Sequence, residues 1–360
     1  MANNGKPKEV SRIIGRVPEI TRVPSRLYTW DRAVGFRGIL GTPGRGIIEL
    51  YGDEHTGKST LALYLNGIRA GNRELIICDL EASLDRDYIE AVTTIAGHTG
   101  PVRIIDYTEP GKKKKETARP HEEMLQEAID GLLREDVATV MVDSYGAFTS
   151  TVAREKPLGE RSMGQEAKTL NDAAKRVNTW LRVVEDPKWY FVINHTNPNI
   201  GGRAAGGFTT PGGRKTKYLA VVRAWIRRVE NDWPKGTGNF VSEVVIQKLK
   251  YGAKGRRAWV YFIPGFGVSP EMTAVTDCIK LKIAQADSTI KLQMIDRDDK
   301  EWKWMSQGRI STLAEKALNP KKNKSTFQPF FDALEKYNQE NPDTEVPAED
   351  ALDVEIEIGE

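Results

Sequence analysis

A glycine-rich loop, Gly52–Thr60, lies between a short apolar run at residues 47–51 and a helical pattern over residues 61–70. In that setting the glycines let backbone N–H groups surround a phosphate, and the helix N-terminus adds a partial positive charge. Lys58 is placed to reach the outer phosphates, and the Ser59 hydroxyl can bind magnesium. The sequence therefore predicts a nucleoside triphosphate site; the alternative is a glycine-rich turn that matches by chance. The predicted phosphate-binding residues are Gly52, Asp53, Glu54, His55, Thr56, Gly57, Lys58, Ser59 and Thr60.

Two acids are candidates for the chemistry of triphosphate hydrolysis. Asp143 ends the apolar run 140–143, and an acid at the carboxyl end of a buried strand lies beside the phosphate loop in a doubly wound sheet. We expect Asp143 to hold the metal, directly or through a water. Glu81 follows the apolar run 75–79 and is the candidate general base for in-line attack of water. A buried or capping carboxylate is the equally weighted alternative for Glu81.

Short apolar runs alternate with helical patterns, which predicts an α/β fold with a mostly parallel, partly mixed sheet covered by helices. Apolar residues at spacings of three and four between Met163 and Val184 predict one long helix. Alternating polar residues suggest that the later strands extend one edge of the sheet in antiparallel fashion. The predicted strands are Ile47–Tyr51, Leu75–Asp79, Ala138–Asp143, Trp189–Asn194, Ala220–Val229, Val241–Leu249 and Ala258–Ile263.

Three polar segments do not fit regular structure. Ser150–Ser162 is broken by a proline and a glycine, and Thr196–Lys215 contains six glycines. Loops of that length inside a compact domain are usually functional or disordered. The third segment, 109–119, includes Lys112–Lys115 and is interpreted as a solvated surface insertion, with DNA contact as the alternative.

Composition excludes several classes of protein. No apolar run approaches the length of a membrane span, and the N-terminus lacks the apolar block of a secretory signal, so we expect an intracellular protein without membrane contacts. The two cysteines suggest neither a disulfide framework nor a metal cage. Residues 339–360 hold nine acids and no Lys or Arg, which leaves residues 1–338 with a net charge of +12. This pattern occurs in nucleic-acid-binding proteins, although an acidic terminus that only aids solubility is an equal alternative.

Several blocks, in register from about residue 25 to 337, resemble those of the bacterial RecA strand-exchange recombinases. A bacteriophage-encoded member is expected. The resemblance implies a RecA-like P-loop ATPase core that uses ATP and Mg²⁺. The blocks are Gly52–Thr60, Asp79–Asp85, Val140–Ser144, Ser162–Gly164, Ile193–His195, Thr210–Gly213, Arg227–Arg228 and, behind Trp302 and Trp304, Gln307–Ile310.

By position, the resemblance makes Glu81 the catalytic glutamate, places Asp85 and Tyr88 beside the adenine, and puts Ser144 with Asp143 in the nucleotide site. His195 stands where the family usually has a glutamine that senses the terminal phosphate and relays its presence to a DNA loop. An imidazole still donates one hydrogen bond, but it is a shorter side chain and a titratable group. A hydrogen-bonded histidine without this role is the alternative.

Lys248 and Lys250 match a lysine pair that, in the family, reaches the triphosphate of the neighbouring subunit. Positive charge supplied in this way stabilises the transferring phosphoryl group, as an arginine finger does. Tyr218 matches an aromatic interface contact. Without the resemblance, two lysines on the solvent face of a strand carry no assignment.

The resemblance also assigns DNA binding to two loops, at about 150–165 and 196–215. Cations and glycine N–H groups can hold phosphates, and an aromatic side chain can stack on or between bases. The alternative is that these are flexible loops without a ligand. The predicted DNA-binding residues are Arg154, Lys156, Arg161, Met163, Gly201, Gly202, Arg203, Gly206, Gly207, Phe208, Gly212, Gly213, Arg214 and Lys215.

Four segments are predicted: a short N-terminal arm at 1–24, the ATPase core at 25–269, a small α+β C-terminal domain at 270–338, and the acidic tail at 339–360. Short helices are expected in the C-terminal domain around Trp302, Trp304, Leu313, Leu318, Phe327, Phe330, Phe331 and Leu334. The arm is shorter than the helix-bearing arm of the family. Residues 10–14, or residues 20–23 as an edge strand, are the candidates for docking on a neighbour.

The combined expectation is a DNA-dependent ATPase that forms a homo-oligomeric helical filament on single-stranded DNA, pairs it with duplex DNA and exchanges strands. Single-strand-binding or loader proteins are candidate partners. The expected location is the cytoplasm of a bacterial or phage-infected cell, at the nucleoid. Two alternatives stay open: a hexameric helicase on the same core, and a recombination mediator or regulator without productive turnover.

Overall fold

A nine-stranded sheet lies at the centre of the computed structural model, which describes residues 21–36, 38–107, 119–152, 164–198, 208–250, 252–295 and 302–342. The strands are β1 Arg22–Val23, β2 Thr42–Pro43, β3 Gly46–Gly52, β4 Glu74–Asp79, β5 Val102–Ile105, β6 Val137–Asp143, β7 Trp189–His195, β8 Asn197–Pro198, β9 Phe208–Thr209, β10 Val222–Asn231, β11 Phe240–Leu249, β12 Arg257–Ile263, β13 Gly267–Val268, β14 Ala284–Ala286, β15 Ile290–Ile295 and β16 Trp302–Gly308. The helices are α1 Tyr28–Ala33, α2 Lys58–Ala70, α3 Arg86–Ile95, α4 His121–Gly131, α5 Gln165–Val183, α6 Gly213–Leu219, α7 Pro270–Lys280, α8 Ile310–Ala317 and α9 Lys324–Glu340.

The central sheet has the order β13-β12-β11-β10-β3-β7-β6-β4-β5. The six strands from β10 to β5 run parallel, whereas β11, β12 and β13 each pair antiparallel with the preceding neighbour. The predicted α/β class and the antiparallel extension at one edge are therefore confirmed. All seven predicted strands are present, with ends that differ by at most two residues.

Both faces of the sheet are covered by helices because consecutive residues of a buried strand face opposite sides. In β7, for example, Phe191 belongs to the apolar cluster that includes α2, and Val192 belongs to the cluster that includes α4 and α5. The long helix predicted from the 163–184 stripe is α5, which buries Leu170, Val177 and Leu181. Met163 lies outside the described residues.

A third apolar cluster joins the C-terminal region to the core. It includes Trp259 of β12, Met272 of α7 and Phe330 of α9. It therefore contains residues from both sides of the predicted boundary at 269/270, and the domain limits stay predictions. The prediction of short helices in this region is confirmed at Leu313, which lies in α8, and at Phe327, Phe330, Phe331 and Leu334, which lie in α9. It is wrong at Trp302 and Trp304, because both residues lie in β16, which pairs with β15.

The first strand of the described chain, β1, pairs with a strand of the same subunit. Residues 20–23 were a candidate edge strand for a neighbour, but β1 pairs antiparallel with β2. Residues 1–20, Lys112–Lys115 and residues 343–360 of the acidic tail lie outside the described residues.

Candidate nucleotide-binding and hydrolysis site

The predicted phosphate loop connects β3 to α2 at the carboxyl edge of the parallel strands. Gly57 precedes α2 in the left-handed region, with φ of 85°. A Cβ at this position would lie 2.7 Å from the Phe262 ring, so both conformation and space require glycine. The Thr56 hydroxyl closes the loop on the carbonyl of Asp53 at 2.9 Å. Among the described residues no side chain caps α2, which leaves its N-terminal N–H groups to an anion.

Lys58 is buried at the first position of α2, and its ammonium donates to the Asp53 carbonyl. Burial lowers the pKa of Lys58, while the neighbouring acids, Asp143 first among them, act in the opposite direction. A phosphate beside Lys58 would supply the negative charge that a buried ammonium needs.

Asp143 meets the loop from the end of β6. Asp143 is 2% exposed, and its Oδ2 has no hydrogen-bond partner among the described residues. The nearby Ser59 hydroxyl favours the ionised carboxylate and so opposes the effect of burial on its pKa. Burial raises the pKa of Asp143 to about 7. A carboxylate with an unused buried oxygen beside a hydroxyl is a donor set that fits Mg²⁺. The described part of the chain contains no group of three or more His, Cys, Asp or Glu that could hold a metal by itself, so phosphate or water oxygens would complete such a site.

The segment after β4 fixes the position of Glu81. The Asp79 carboxylate accepts hydrogen bonds from the backbone N–H groups of Glu81 at 3.2 Å and Leu84 at 3.1 Å. The Leu80 N–H donates to the carbonyl of Asp143 at 2.7 Å. Ala82 has a positive φ of 53°, an uncommon conformation for a residue with a side chain. These contacts aim Glu81 toward the end of β6.

Glu81, Ser144 and His195 form one cluster, although they come from three separate segments. Oε1 of Glu81 lies 2.8 Å from Nε2 of His195 and also accepts a hydrogen bond from the Ser144 hydroxyl. The hydrogen bond from His195 is the main reason that the pKa of Glu81 is lowered below its usual value. The cluster therefore holds an ionised, partly exposed carboxylate, which can act as a base.

The predicted adenine-flanking residues lie at the start of α3. The Asp85 side chain caps this helix by accepting the Tyr88 N–H at 2.9 Å. The Tyr88 hydroxyl is 2.7 Å from the Thr60 hydroxyl of α2. The structure thus brings Tyr88 to the helix that follows the phosphate loop, while the Asp85 carboxylate has a capping function.

The lysine pair lies at the end of β11. The Lys248 ammonium donates to the carbonyls of Lys217 and Tyr218 at 2.8 and 2.6 Å, at the last turn of α6. Lys250 follows the strand and is exposed. Tyr218 is 71% exposed, a large fraction for an aromatic side chain. Lys248 is therefore engaged within its own chain and is not an unattached surface lysine.

The second predicted DNA loop begins and ends in regular structure. β8 pairs with β9, so Phe208 stands at the base of a hairpin. Arg214 and Lys215 are exposed on the first turn of α6, after Gly212 and Gly213, which both have positive φ. The remaining predicted DNA contacts, Arg154, Lys156, Arg161, Met163, Gly201, Gly202, Arg203, Gly206 and Gly207, lie outside the described residues.

Two contacts that the sequence analysis missed connect this hairpin to the nucleotide site. The Thr196 hydroxyl donates to the Asp53 carboxylate in the phosphate loop. Fully buried Glu49 accepts hydrogen bonds from Asn194 at 3.0 Å and from Thr210 at 3.1 Å, and forms an ion pair with Arg223. An acid inside the apolar run of β3 was the available signal, since a buried carboxylate needs partners.

No helix in the described part of the chain is both long and apolar enough to cross a membrane.

Comparison with known proteins confirms the resemblance. Protein RecA of Streptomyces rimosus is 28% identical over 254 residues, which cover 69% of this chain and 62% of that protein. Protein RecA of Oceanobacillus iheyensis is 27% identical over 263 residues, with coverages of 71% and 69%. Protein RecA of Frankia alni is 29% identical over 259 residues, with coverages of 71% and 68%. The chain thus spans 62 to 69% of the length of these three relatives. Residues 14–254 match the family model of the RecA N-terminal domain. Since that match covers well over half of the sequence, the chain belongs to the RecA family.

Proposed function

We propose that this protein is a DNA-dependent ATPase that assembles on single-stranded DNA and catalyses homologous pairing and strand exchange. The observation that carries the proposal is the convergence of Glu81, Asp143 and the phosphate loop at one edge of the parallel sheet. A base, a metal-binding acid and a phosphate cradle are the parts that phosphoryl transfer requires. Family membership and relatives that bear the name Protein RecA support the same function.

ATP is the proposed substrate. Its phosphates bind the N–H groups of Gly52–Thr60, and Lys58 contacts the outer phosphates. Mg²⁺, held by the Ser59 hydroxyl and Asp143 together with phosphate oxygens, would offset the negative charge that develops during transfer. Tyr88, which already contacts Thr60, and Asp85 flank the adenine.

Hydrolysis uses Glu81 as general base. A water hydrogen-bonded to Glu81 attacks the terminal phosphorus, its proton passes to the carboxylate, and the bond from phosphorus to the bridging oxygen breaks to release ADP and phosphate. Because Ser144 and His195 already donate to Oε1, Glu81 must exchange one of these partners or use Oε2 to accept the proton.

Lys248 and Lys250 act on the nucleotide of the neighbouring subunit. The exposed Tyr218 beside them is the proposed contact between copies, as expected for an aromatic side chain at an interface. Lys248 must break its hydrogen bonds to the two α6 carbonyls before it can contact the nucleotide of the neighbouring subunit. The contact between subunits therefore competes with a contact inside the chain. This competition allows hydrolysis to depend on assembly.

The two loops bind DNA. Arg214 and Lys215 are exposed beside the β8–β9 hairpin, where cations can contact backbone phosphates. Contacts to phosphates do not depend on the base sequence of the DNA. This fits a protein in which pairing between DNA strands selects the homologous target. The link from Glu49 to both Asn194 and Thr210 supports communication between the strand before His195 and this hairpin.

ATPase assays with and without single-stranded DNA, combined with electron microscopy, test the proposal. We expect DNA to stimulate turnover and helical filaments to form with a non-hydrolysable ATP analogue. Lys58→Ala should abolish nucleotide binding, whereas Lys322→Ala, which removes an exposed lysine before α9, should not. Closed rings would favour a helicase, and turnover that DNA does not stimulate would favour a mediator or regulator. Loading partners, a bacteriophage source and the location in the cell stay predictions.

A further inference from the structure

A buried histidine lies between the Glu81 segment and the first predicted DNA loop. His121 is the first residue of α4 and is 4% exposed. The Tyr107 ring contacts the His121 ring edge to face, with centroids 5.1 Å apart, and the Phe148 ring lies 5.9 Å away. This packing fixes the imidazole plane, so each ring nitrogen faces a definite partner.

The direction of each hydrogen bond in this cluster follows from one backbone donor. The N–H of Thr149 donates to Nδ1 of His121 at 2.9 Å. Nδ1 is therefore unprotonated, and the neutral ring carries its proton at Nε2. Nε2 donates to the hydroxyl oxygen of Tyr107, and this hydroxyl donates its own proton to the carbonyl of Leu80 at 2.5 Å. The hydrogen bonds thus form a continuous chain from Thr149 to Leu80.

Both ends of this chain lie at elements that the proposed function uses. Leu80 immediately precedes Glu81, and its N–H is bound to the carbonyl of Asp143. Thr149 immediately precedes the loop at about 150–165. The residue after His121, Glu122, accepts hydrogen bonds from the backbone N–H and the hydroxyl of Thr151 at 2.7 and 3.0 Å. The first turn of α4 therefore holds the start of the loop at two residues.

We propose that His121 and Tyr107 are positioning residues that couple the first DNA loop to the Glu81 segment. This inference rests on the proposed function, because it assigns DNA binding to the loop. If DNA binding displaces Thr149, the His121 ring moves with it, because Nδ1 accepts the Thr149 N–H. The Tyr107 hydroxyl then moves with the ring, and its hydrogen bond to the carbonyl of Leu80, the residue before Glu81, changes. This connection is separate from the one at His195, which reaches the second loop.

The test compares Tyr107→Phe with Tyr261→Phe. The Tyr261 hydroxyl has the same two kinds of partner, since it accepts from the Asn239 amide and donates to the Trp233 carbonyl, but it lies in the third apolar cluster. The readout is the ratio of ATPase turnover with and without a thymidine oligonucleotide. Tyr107→Phe should lower this ratio about fivefold, the factor that one hydrogen bond of ordinary strength represents. Tyr261→Phe should leave the ratio unchanged while lowering the melting temperature similarly.

Two substitutions at His121 separate coupling from loop anchoring. Asn places an oxygen where Nδ1 was and keeps the Thr149 bond, whereas Gln keeps a donor toward Tyr107. Hydrogen exchange at the Thr149 amide should therefore stay slow in His121→Asn and become faster in His121→Gln. Coupling requires the His121 hydrogen bonds to both Thr149 and Tyr107. The ratio of ATPase turnover with and without the oligonucleotide should therefore fall in both variants.

Each result bears on a definite claim. A normal ratio in His121→Asn, or equal ratios in Tyr107→Phe and Tyr261→Phe when DNA stimulates the unmodified protein, would overturn the coupling and leave the proposed function intact. A lack of DNA stimulation in the unmodified protein would overturn the proposed function and this inference together. If Tyr107→Phe does not fold, the His121→Asn ratio decides the question.

Discussion

Nε2 of His195 lies 2.8 Å from Oε1 of Glu81, although 114 residues separate them in sequence. The proposed base is therefore held by the strand that leads into the second of the two proposed DNA-binding loops. His195 both orients Glu81 and directly precedes this loop. It can therefore couple nucleotide binding at one site to DNA binding at the other.

Glu81→Gln should lower ATP hydrolysis by about 100- to 10,000-fold, because the amide cannot accept a proton from water. ATP binding and assembly on DNA should persist, since the phosphate loop is unchanged. Phosphate release and binding of a fluorescent nucleotide measure the two properties. Glu90→Gln, an exposed change on α3, is the control. Full turnover in Glu81→Gln would remove the residue from this role.

His195→Gln should retain DNA stimulation of the ATPase, whereas His195→Ala should lose it about fivefold or more. A glutamine amide can still donate to Glu81, but alanine leaves the carboxylate with Ser144 alone. The measurement is turnover with and without single-stranded DNA at saturating ATP. Equal stimulation in both variants would show that the 2.8 Å contact does not carry the signal.

A mixture of Lys248→Ala and Glu81→Gln subunits should recover about one quarter of the wild-type ATPase rate when they assemble randomly, although each variant alone should be inactive. Only an interface with an intact Glu81 on one side and an intact Lys248 on the other is complete. Lys58→Ala mixed with Glu81→Gln is the control, because both changes affect the same subunit's site. If Lys248 acted only inside its own chain, the mixture would stay inactive.

Arg214→Ala should weaken single-stranded DNA binding and reduce the slope of log affinity against log salt by about 0.7, the value for one lost phosphate contact. Fluorescence anisotropy at several salt concentrations gives the slope. Arg182→Ala, an exposed change in the last turn of α5, should leave the slope unchanged. Identical slopes for both variants would place Arg214 away from the DNA.

The stability of the fold should decrease as pH rises from about 4 to about 7. Burial raises the pKa of Asp31 to about 7, from the ordinary aspartate value of 3.8, so over this range the folded state retains a proton that the unfolded chain releases. Asp143 and Asp277 shift in the same direction. In Asp31→Asn, whose amide can still bond to Ser25, this decrease should be smaller by up to about 4 kcal/mol.

Denaturant titrations at the two ends of this pH range provide the measurement. Asp332→Asn, at an exposed position of α9, should keep the wild-type pH dependence. An unchanged pH dependence in Asp31→Asn would mean that Asp31 is ionised in the folded protein.

The sequence by itself determined the phosphate loop, seven of the nine strands described in the central sheet, the antiparallel sheet edge and the family. These features follow from spacing over a few residues: an apolar run buries a strand, and glycines before a helix leave its N–H groups open. The same local signal failed at Trp302 and Trp304, where hydrophobicity alone did not separate a strand from a helix.

Only the tertiary structure decided which distant side chains meet. The partner of Glu81 is His195, Lys248 binds the end of its own α6, and His121 connects Thr149 to Tyr107. None of these pairs is encoded by spacing, because each depends on how parallel strands bring their carboxyl ends to one edge and how helices pack beside them. The sequence supplied the chemical groups, and sheet order set the distances between them.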